Sequence, residues 1–294
     1  MTKFRSGYVS IIGRPNVGKS TLLNSILGEK IAIVSSKPQT TRNRIIGIKT
    51  LTDAQIIFID TPGIHKPRHR LGELMVKYAQ ESMKEVDIIL FMVEPSEPGP
   101  GDLYILEKLK DLKQNIFLVI NKVDTVRKPD ILPVIDAYSK LYPFKEIIPI
   151  SALKVDGIDD LLNLILDYLP EGPKYYIEDN ITDQIERFMV SEIIREKIIE
   201  QTAEEVPYSV AVEITDWSER EDGVIFINAN ILVEREGQKG IIIGKGGQRL
   251  KSIGTNARVD IEKLLDARVF LELWVKVKKD WRSNKKILRE LGFK

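Results

Sequence analysis

The sequence has 294 residues, of which 43% are hydrophobic and 30% are charged, and its formal net charge is +1. This composition is typical of a soluble globular protein, and the length predicts two domains. The absence of cysteine excludes disulfides, thiolate catalysis and cysteine-built zinc sites, and with only two histidines we expect no histidine-rich metal site. With no apolar run long enough to span a bilayer and no apolar signal core at the N-terminus, we expect a cytoplasmic protein.

Apolar runs alternate with amphipathic segments over the first 170 residues. The nearly unbroken runs predict strands that are buried on both faces of a mostly parallel sheet, at Tyr8–Ile12, Ile56–Asp60, Ile88–Val93, Ile116–Ile120 and Ile147–Ile150. The segments after them predict helices at Lys19–Leu27, Leu71–Glu85, Leu103–Asp111, Pro129–Leu141 and Ile158–Leu169. This order indicates an α/β domain with helices on both faces of the sheet, and a ligand site at the carboxyl ends of the strands.

The segment GRPNVGKS, Gly13–Ser20, lies between the first predicted strand and the first predicted helix. It matches G-x-x-x-x-G-K-S, a pattern in which backbone N–H groups surround the phosphates of a nucleotide. In such a loop, Lys19 contacts the β- and γ-phosphates and Ser20 binds Mg²⁺. We therefore predict a phosphate site at Gly13, Asn16, Val17, Gly18, Lys19, Ser20 and Thr21.

The motif DTPG, Asp60–Gly63, ends the next core strand. An aspartate at that position can hold Mg²⁺, directly or through water, and the Gly63 N–H can bind the γ-phosphate. We expect this motif and the next residue to form a switch segment that comprises Asp60, Thr61, Pro62, Gly63 and Ile64.

Two later motifs indicate which base is bound. NKVD, Asn121–Asp124, ends the fourth predicted strand, and the Asp124 carboxylate can accept hydrogen bonds from N1–H and the 2-amino group of guanine. Adenine lacks this pair of donors. Lys122 can lie over the base, and Asn121 can brace the phosphate loop. The fifth strand ends in SAL, which can offer N–H groups to guanine O6 from Ser151, Ala152 and Leu153.

These motifs, in this order, resemble those of the translation-factor-related GTPases of the P-loop class. Members carry a switch threonine between the first two motifs, where KPQTTRNRIIG, Lys37–Gly47, supplies Thr40 and Thr41. We place the switch at Thr41 because related GTPases have it directly before an arginine, and Thr40 is the alternative. The resemblance implies GTP and GDP as ligands, and Mg²⁺ bound by Ser20, Thr41 and Asp60.

The residue after the DTPG glycine bears on hydrolysis. Ras-type GTPases have a glutamine there that orients the attacking water, whereas this chain has Ile64, whose alkyl side chain cannot. We therefore predict slow unaided turnover. Asn16 occupies a loop position at which some related GTPases bind K⁺, so activation by K⁺ is a hypothesis, and a purely structural Asn16 is the alternative. His65 and His69 are interpreted as solvated loop residues.

The stretch PEGPKYY, Pro170–Tyr176, interrupts the α/β pattern and predicts a linker. We predict a GTPase domain over 1–172, a linker over 173–180 and a second domain over 181–294. In the second domain the pattern predicts a helix at about Thr182–Thr202, strands near Tyr208–Ile214 and Val224–Val233, a helix through Leu265, a strand at Val269–Val277 and finally a polar helical tail. The order α-β-β-α-α-β indicates a small α+β domain.

Within that domain, IIIGKGGQRL, Ile241–Leu250, holds a G-x-x-G loop between two apolar helical stretches. Such loops in KH domains clamp the backbone of about four single-stranded nucleotides. The segment resembles a type II KH domain, and a glycine-rich turn in a protein-binding domain is the alternative. The resemblance implies an RNA site at Ile243, Gly244, Lys245, Gly246, Gly247, Arg249, Lys276, Lys278 and Lys279. Trp274 and Trp281 are interpreted as packing residues, with base stacking as the alternative.

The charge distribution is consistent with a polyanion partner for the C-terminal end. Residues 177–234 hold four Lys or Arg against fifteen Asp or Glu, whereas residues 235–294 hold sixteen against seven. Two solvated faces would produce the same pattern.

Over the whole chain, this arrangement resembles a family of bacterial GTPases that carry a C-terminal type II KH domain. The resemblance implies binding near the 3′ end of small-subunit ribosomal RNA, a part in assembly of the small ribosomal subunit, and peripheral contact with the inner face of the cell membrane. We expect no DNA partner. A GTP-regulated signalling or membrane-remodelling protein and an RNA-modifying enzyme of the same GTPase branch are the alternatives.

Overall fold

The computed structural model describes residues 3–35, 37, 40–64, 66–67, 69–177, 180–203 and 206–293. They form two compact units, and the main division between the units falls between Asp183 and Gln184, three residues after the predicted end of the linker. Within these ranges, no helix combines the length and the apolar character that a membrane crossing needs.

The first unit is built on one six-stranded sheet in the order β2-β3-β1-β4-β5-β6. β2 pairs with β3 in antiparallel orientation, and all other neighbours are parallel. Every residue of β3 and of β4 is buried, which is why these strands have continuous apolar sequences. The strands are β1 (Arg5–Gly13), β2 (Ile45–Thr50), β3 (Ala54–Asp60), β4 (Ile88–Val93), β5 (Asn115–Ile120) and β6 (Glu146–Pro149).

Four helices lie between these strands and a fifth follows β6, and their bounds lie close to the predicted ones: α1 (Lys19–Leu27), α2 (Arg70–Ser82), α3 (Pro100–Leu109), α4 (Ile131–Ser139) and α5 (Ile158–Tyr168). The α/β class with a mostly parallel sheet is thereby confirmed. The prediction missed β2, an edge strand that follows the predicted switch threonines Thr40 and Thr41. Its sequence, IIGIKT, is short and contains Gly47, where a Cβ atom would lie 2.6 Å from Leu23 Cδ1.

Residues of the predicted linker, and Ile181 and Thr182 at the predicted start of the second domain, form hydrogen bonds with β2 and β3 of the first unit. The side chain of Gln55, on β3, accepts hydrogen bonds from the N–H groups of Tyr175 and Tyr176 at 2.8 and 2.9 Å. The Ile181 carbonyl accepts a hydrogen bond from Ile48 N–H, and the Thr182 hydroxyl donates to the Ile46 carbonyl at 2.6 Å. The chain therefore stays attached to β2 and β3 after α5 ends.

The second unit is a small α+β domain with a three-stranded sheet in the order β7-β8-β9. β7 and β8 are antiparallel, whereas β8 and β9 are parallel. This arrangement confirms the predicted α-β-β-α-α-β order, with one additional short helix, α7. The elements are α6 (Glu186–Gln201), α7 (Val206–Ser209), β7 (Ala211–Glu219), β8 (Ile225–Val233), α8 (Glu236–Ile243), α9 (Gln248–Leu265), β9 (Val269–Val277) and α10 (Lys285–Glu290).

Several predicted bounds in this unit were wrong. The helix predicted from Thr182 begins at Glu186, and Ile185, directly before it, is 69% exposed. The strand predicted from Tyr208 begins at Ala211, because the preceding residues form α7. The polar tail is helical only over α10.

The two tryptophans of the C-terminal region behave differently. Trp281 is fully buried, and its Nε1–H donates to the Ser209 carbonyl at 2.8 Å, so the expectation of packing is confirmed there. Trp274 is 58% exposed on β9 and is not a core residue. On α9, Ile253, Ala257 and Ile261 form a buried stripe.

Candidate functional site

The loop between β1 and α1 needs glycine at two positions, Gly13 and Gly18. A Cβ atom on Gly13 would lie 2.4 Å from the Met92 carbonyl oxygen. Gly18 has φ 102°, and a Cβ there would lie 2.3 Å from Asn121 Nδ2. Asn16 adopts φ 67° in the same loop, a conformation that asparagine tolerates better than most residues. The loop ends at Lys19, the first residue of α1, so the positive end of the helix dipole lies next to it.

Lys19 is held inside this loop as a buried cation. The side chain is only 6% exposed, and its Nζ donates to the carbonyl oxygens of Arg14 at 2.9 Å and of Gly13 at 3.4 Å. Burial lowers the pKa of Lys19 to about 8, although the nearby Asp60 opposes the shift. A buried ammonium group that is met mainly by carbonyl dipoles is suited to receive the oxygens of an anion. Val17 is fully buried, and Thr21 is half-buried in the first turn of α1.

Three oxygen-bearing side chains from distant parts of the chain meet beside Lys19. The Ser20 hydroxyl donates to Asp60 Oδ2 at 2.7 Å, and Thr41 Oγ1 lies 2.8 Å from Ser20 Oγ and 3.4 Å from the same carboxylate oxygen. Thr41 therefore has its hydroxyl in this cluster. Thr40, the alternative switch residue, is also buried.

Asp60 is the residue of this cluster with unused binding capacity. Its side chain is fully buried, and its Oδ1 atom has no hydrogen-bond partner in the structure. Burial raises the pKa of the Asp60 carboxyl, and Lys19 opposes the shift. A buried carboxylate oxygen without a donor, next to two hydroxyl groups, fits a hard divalent cation with oxygen ligands such as Mg²⁺.

The DTPG segment packs directly against the phosphate loop. Gly63 leaves no room for a side chain, since a Cβ atom would lie 2.6 Å from Pro15 N. Ile64 N–H donates to the Gly13 carbonyl at 3.1 Å, and the Thr61 hydroxyl donates to the Ile11 carbonyl at 2.8 Å. Pro62 is also buried. The segment therefore holds a defined position at the edge of the phosphate loop.

The side chain of Ile64 points into the protein core. It is 2% exposed and packs in a hydrophobic cluster that includes Ile12 and Met83. His69 lies in the loop before α2 as expected but is half-buried, and its Nδ1 accepts a hydrogen bond from Gly72 N–H at 3.0 Å, so it also caps the start of α2. His65 lies outside the described residues.

Asn121 joins three of the predicted motifs. It is 2% exposed, its Nδ2 donates to the Val17 carbonyl at 2.8 Å, and its Oδ1 accepts from Ala152 N–H at 2.9 Å. The Ser151 hydroxyl donates to Asp124 Oδ1 at 2.6 Å, and the Asp124 side chain is exposed at this edge of the sheet. The carboxylate is therefore oriented while it stays open to a ligand.

The SAL segment uses two of its three N–H groups inside the protein. Ser151 N–H donates to the Asp156 carbonyl at 3.0 Å, and Ala152 N–H donates to Asn121. Leu153 has a side chain that is 72% exposed. The Ser25 hydroxyl, on α1, donates to the Ala152 carbonyl at 2.7 Å. Sequence reasoning missed Ser25 and Asp156, since neither belongs to a recognisable motif.

In the second unit, the G-x-x-G loop connects α8 to α9 and requires glycine at three positions. Gly244, Gly246 and Gly247 have φ values of 72°, 59° and 77°. No atom lies within 4 Å of a Cβ built on Gly246 or Gly247, so another molecule can approach this part of the backbone closely. Lys245, between Gly244 and Gly246, is exposed, and Arg249 Nη1 donates to the Ile241 carbonyl at 2.5 Å. Ile243 packs at the edge of the core.

A groove of about 450 Å³ runs from this loop between α9 and β9. Its lining combines apolar side chains with basic ones: Gly247 from the loop, Leu250, Lys251, Gly254, Thr255 and Arg258 from α9, and Val269, Phe270, Leu271 and Leu273 from β9. Sequence reasoning missed Lys251 and Arg258, although their helical spacing beside the buried stripe was a usable signal. The predicted Lys276, Lys278 and Lys279 are exposed but do not line the groove.

Comparison with known proteins identifies relatives along the whole chain. A family model described as "50S ribosome-binding GTPase" matches residues 8–122, and one described as "KH domain" matches residues 205–282. The chain is 57% identical over 292 residues to the GTPase Era of Ruminiclostridium cellulolyticum, and the match covers 99% of this chain and 98% of the relative. It is 57% identical over 293 residues to the GTPase Era of Clostridium tetani, with 99% of both chains covered.

Solved structures agree with this assignment. A crystal structure of Era in complex with MgGDPNP and nucleotides 1506–1542 of 16S ribosomal RNA superposes with a TM-score of 0.96, at 46% identity and with 99% of each chain covered. An Aquifex aeolicus Era variant bound to GDP.AlF4- matches with the same TM-score, identity and coverage. Given this identity over nearly its whole length and the fold of both units, the chain belongs to the Era family of GTPases.

Proposed function

We propose that this chain is a switch protein that binds and hydrolyses GTP, binds the 3′ region of small-subunit ribosomal RNA, and assists assembly of the small ribosomal subunit. The proposal rests on two features at one edge of the sheet. One is the cluster of Lys19, Ser20 and Asp60, and the other is the oriented Asp124 carboxylate. The groove beside the G-x-x-G loop supplies the RNA site.

The choice of the small subunit rests on the Era relative whose structure contains 16S ribosomal RNA and which matches 99% of this chain. The family description that names the 50S ribosome covers only residues 8–122. The RNA groove lies outside that range, so the full-length match is the better guide to the RNA partner.

For the base, Asp124 accepts hydrogen bonds from N1–H and the 2-amino group of guanine, and Ser151 holds the carboxylate in place. Leu153 N–H is the donor for guanine O6, because the other two N–H groups of its segment donate within the protein. Adenine would leave the carboxylate unpaired, so discrimination on the order of 10⁴-fold is expected.

For the triphosphate, the phosphate site comprises the loop from Gly13 to Thr21 together with Gly63. Lys19 exchanges its carbonyl partners for phosphate oxygens. Ser20, Thr41 and Asp60 would hold Mg²⁺, which when bound offsets the charge of the β- and γ-phosphates.

Hydrolysis should be slow without a partner, at about 10⁻⁴–10⁻² s⁻¹. The support is Ile64, whose buried side chain stands where a water-orienting residue would be needed. We include K⁺ activation through Asn16 as a separate proposal, which equal turnover in KCl and NaCl would refute.

In the proposed switch, the γ-phosphate of GTP adds contacts to Thr41 and Gly63, and these contacts are lost when the γ-phosphate leaves. Affinity for RNA should then depend on the nucleotide, and RNA must tighten GTP binding by the same factor by which GTP tightens RNA binding. A coupling factor of one would leave two independent sites and remove the switch.

The test of the whole proposal is titration calorimetry with GTP and ATP, followed by RNA binding to an oligonucleotide from the 3′ end of 16S ribosomal RNA and to a scrambled one. GTP should bind and ATP should not. With about four phosphate contacts, RNA affinity should fall about 50-fold between 50 and 200 mM salt. Equal capture of both nucleotides would refute the guanine site, and equal affinity for both RNAs would refute the ribosomal target.

The cytoplasmic location and the peripheral membrane contact are proposals of their own. The support for the membrane contact is the net positive charge of residues 235–294, which would favour binding to an anionic lipid surface. Co-sedimentation with vesicles of anionic lipid, but not with vesicles of neutral lipid, is the expected result. No co-sedimentation with either would refute the contact without affecting the nucleotide or RNA sites.

A further inference from the structure

Glu94 occupies a central position at the carboxyl edge of the sheet. It directly follows β4, and β4 lies between β1 and β5 in the strand order. Arg14 follows β1, and Lys122 comes shortly after β5. Since these three strands are parallel, their carboxyl ends meet, and the residue after the middle strand can reach both neighbours.

The Glu94 carboxylate is shared between the phosphate loop and the base motif. Its Oε1 accepts a hydrogen bond from Lys122 Nζ at 2.5 Å, and its Oε2 lies 3.8 Å from Arg14 Nη2. The side chains of Glu94 and Lys122 are 35% and 37% exposed. An ion pair as exposed as this adds little to the stability of the fold, so its main effect is on where the Lys122 side chain lies.

Arg14 is anchored on its other side to a buried group. Its Nε donates to Asp102 Oδ1 at 2.8 Å, and Asp102 is fully buried. The other oxygen of Asp102 accepts from Gly99 N–H at the start of α3, at 3.0 Å. At Gly101 a Cβ atom would lie 2.6 Å from Arg14 Cδ, so this glycine makes room for the arginine. Arg14 therefore gives Glu94 a rigid neighbour.

Lys122 needs such a partner because of its own backbone and its long side chain. It has φ 64°, the left-handed region that non-glycine residues seldom adopt. Four rotatable bonds separate this backbone from the ammonium group, and an unpaired lysine would sample many rotamers. The hydrogen bond to Glu94 restricts these rotamers before any nucleotide arrives.

We propose that Glu94 is a positioning residue for guanine nucleotides: it holds the Lys122 side chain over the plane of the base and ties it to Arg14 in the phosphate loop. The inference depends on the proposed guanine site. Without the carboxylate, bound GDP and GTP should dissociate faster, because Lys122 no longer covers the base.

The test is Glu94→Gln, which keeps the shape of the side chain and removes the charge. Dissociation of GDP and of GTP should speed up about fivefold, the effect of losing one partly exposed charge-assisted hydrogen bond. IDP should show the same factor, since Lys122 contacts the ring face that both bases share, whereas the 2-amino group that IDP lacks contacts Asp124. In a Lys122→Met background, Glu94→Gln should change dissociation by less than twofold.

Glu107→Gln is the matched control. Glu107 pairs with Lys110 on the exposed face of α3, and its loss should leave nucleotide dissociation unchanged. If Glu94→Gln does not fold, Glu94→Asp, which withdraws the carboxylate by one methylene, should speed dissociation at least twofold.

The positioning role is refuted if the folded variant dissociates at the wild-type rate, or if Glu94→Gln acts with its full factor when Lys122 is already methionine. Failure of the wild-type chain to bind GDP would instead refute the guanine site itself.

Discussion

The Ser20 hydroxyl donates to Asp60 Oδ2 at 2.7 Å, although forty residues separate the two in the chain. The hydrogen bond leaves Asp60 Oδ1 buried without a partner. We therefore predict that Asp60→Asn removes the dependence of GTP binding on Mg²⁺, because an amide is a far weaker ligand for this cation than a carboxylate.

The measurement is the GTP dissociation constant with Mg²⁺ and with EDTA. The wild type should bind more tightly with Mg²⁺, and Asp60→Asn should bind equally in both. The control is Asp136→Asn, which removes an exposed carboxylate paired with Lys140 on α4 and should behave as the wild type. A variant at position 60 that keeps its Mg²⁺ response would show that the cation is held elsewhere.

The second prediction concerns the buried amide of Asn121. In Asn121→Asp, the oxygen that accepts from Ala152 N–H is retained, but the donor to the Val17 carbonyl is replaced by a carboxylate oxygen. The unfolding free energy should fall by about 3 kcal/mol, because a buried carbonyl loses its donor and faces a negative group. Urea denaturation measures the loss, and Asn256→Asp at an exposed position of α9 should cost less than 0.5 kcal/mol. Equal losses in both variants would contradict the bracing role.

The third prediction is a pH dependence of nucleotide affinity that comes from Lys19. Its pKa is lowered to about 8 in the free protein by burial, and phosphate oxygens would favour the charged form. Above that pH, binding must therefore take up a proton, and GDP affinity should fall as pH rises from 8 to 9, towards tenfold per unit. Calorimetry without Mg²⁺, in two buffers of different ionisation enthalpy, measures the proton uptake. Zero uptake at pH 9 would contradict the assignment.

The same shift predicts the stability of the nucleotide-free protein. The pKa of Lys19 in the folded state lies below its ordinary value of 10.5, so the cost of burying the cation is fully present below pH 8. Between pH 8 and 10.5 the unfolded chain binds more protons at this residue than the folded one. Lys19 therefore makes a contribution to the unfolding free energy that rises with pH in that window.

The fourth prediction separates RNA binding from folding. Gly246→Asp places a negative side chain in the open space beside the G-x-x-G loop and should abolish binding of single-stranded RNA by bulk and by repulsion of phosphate. Gly223→Asp is the matched control, because Gly223 also has a positive φ, 76°, and open space around it, but lies in the turn between β7 and β8. Both changes carry the same backbone strain and charge. In a filter-binding assay, Gly246→Asp should lose RNA binding and Gly223→Asp should keep it. An equal loss in both variants would place the RNA outside the loop.

The sequence by itself determined the features that depend on local chemistry. Glycines at 13 and 18 and the lysine at 19 make a phosphate loop wherever a strand leads into a helix, and buried parallel strands require continuous apolar runs. Accordingly, α1 and β4 were predicted with the bounds that the structure has, as was β9, which is only partly buried. A guanine site at Asp124 could be proposed from the sequence because the donor pattern of that base requires a carboxylate.

Only the tertiary structure decided which distant side chains meet. The strand order β2-β3-β1-β4-β5-β6 places Glu94 between Arg14 and Lys122, and the position of the segment before β2 brings the Thr41 hydroxyl to Ser20. The packing of α9 beside β9 similarly places Lys251 and Arg258 in the lining of the groove. Hydrophobic periodicity reports which face of an element is buried but carries no information about its neighbour, so these contacts had to come from the fold.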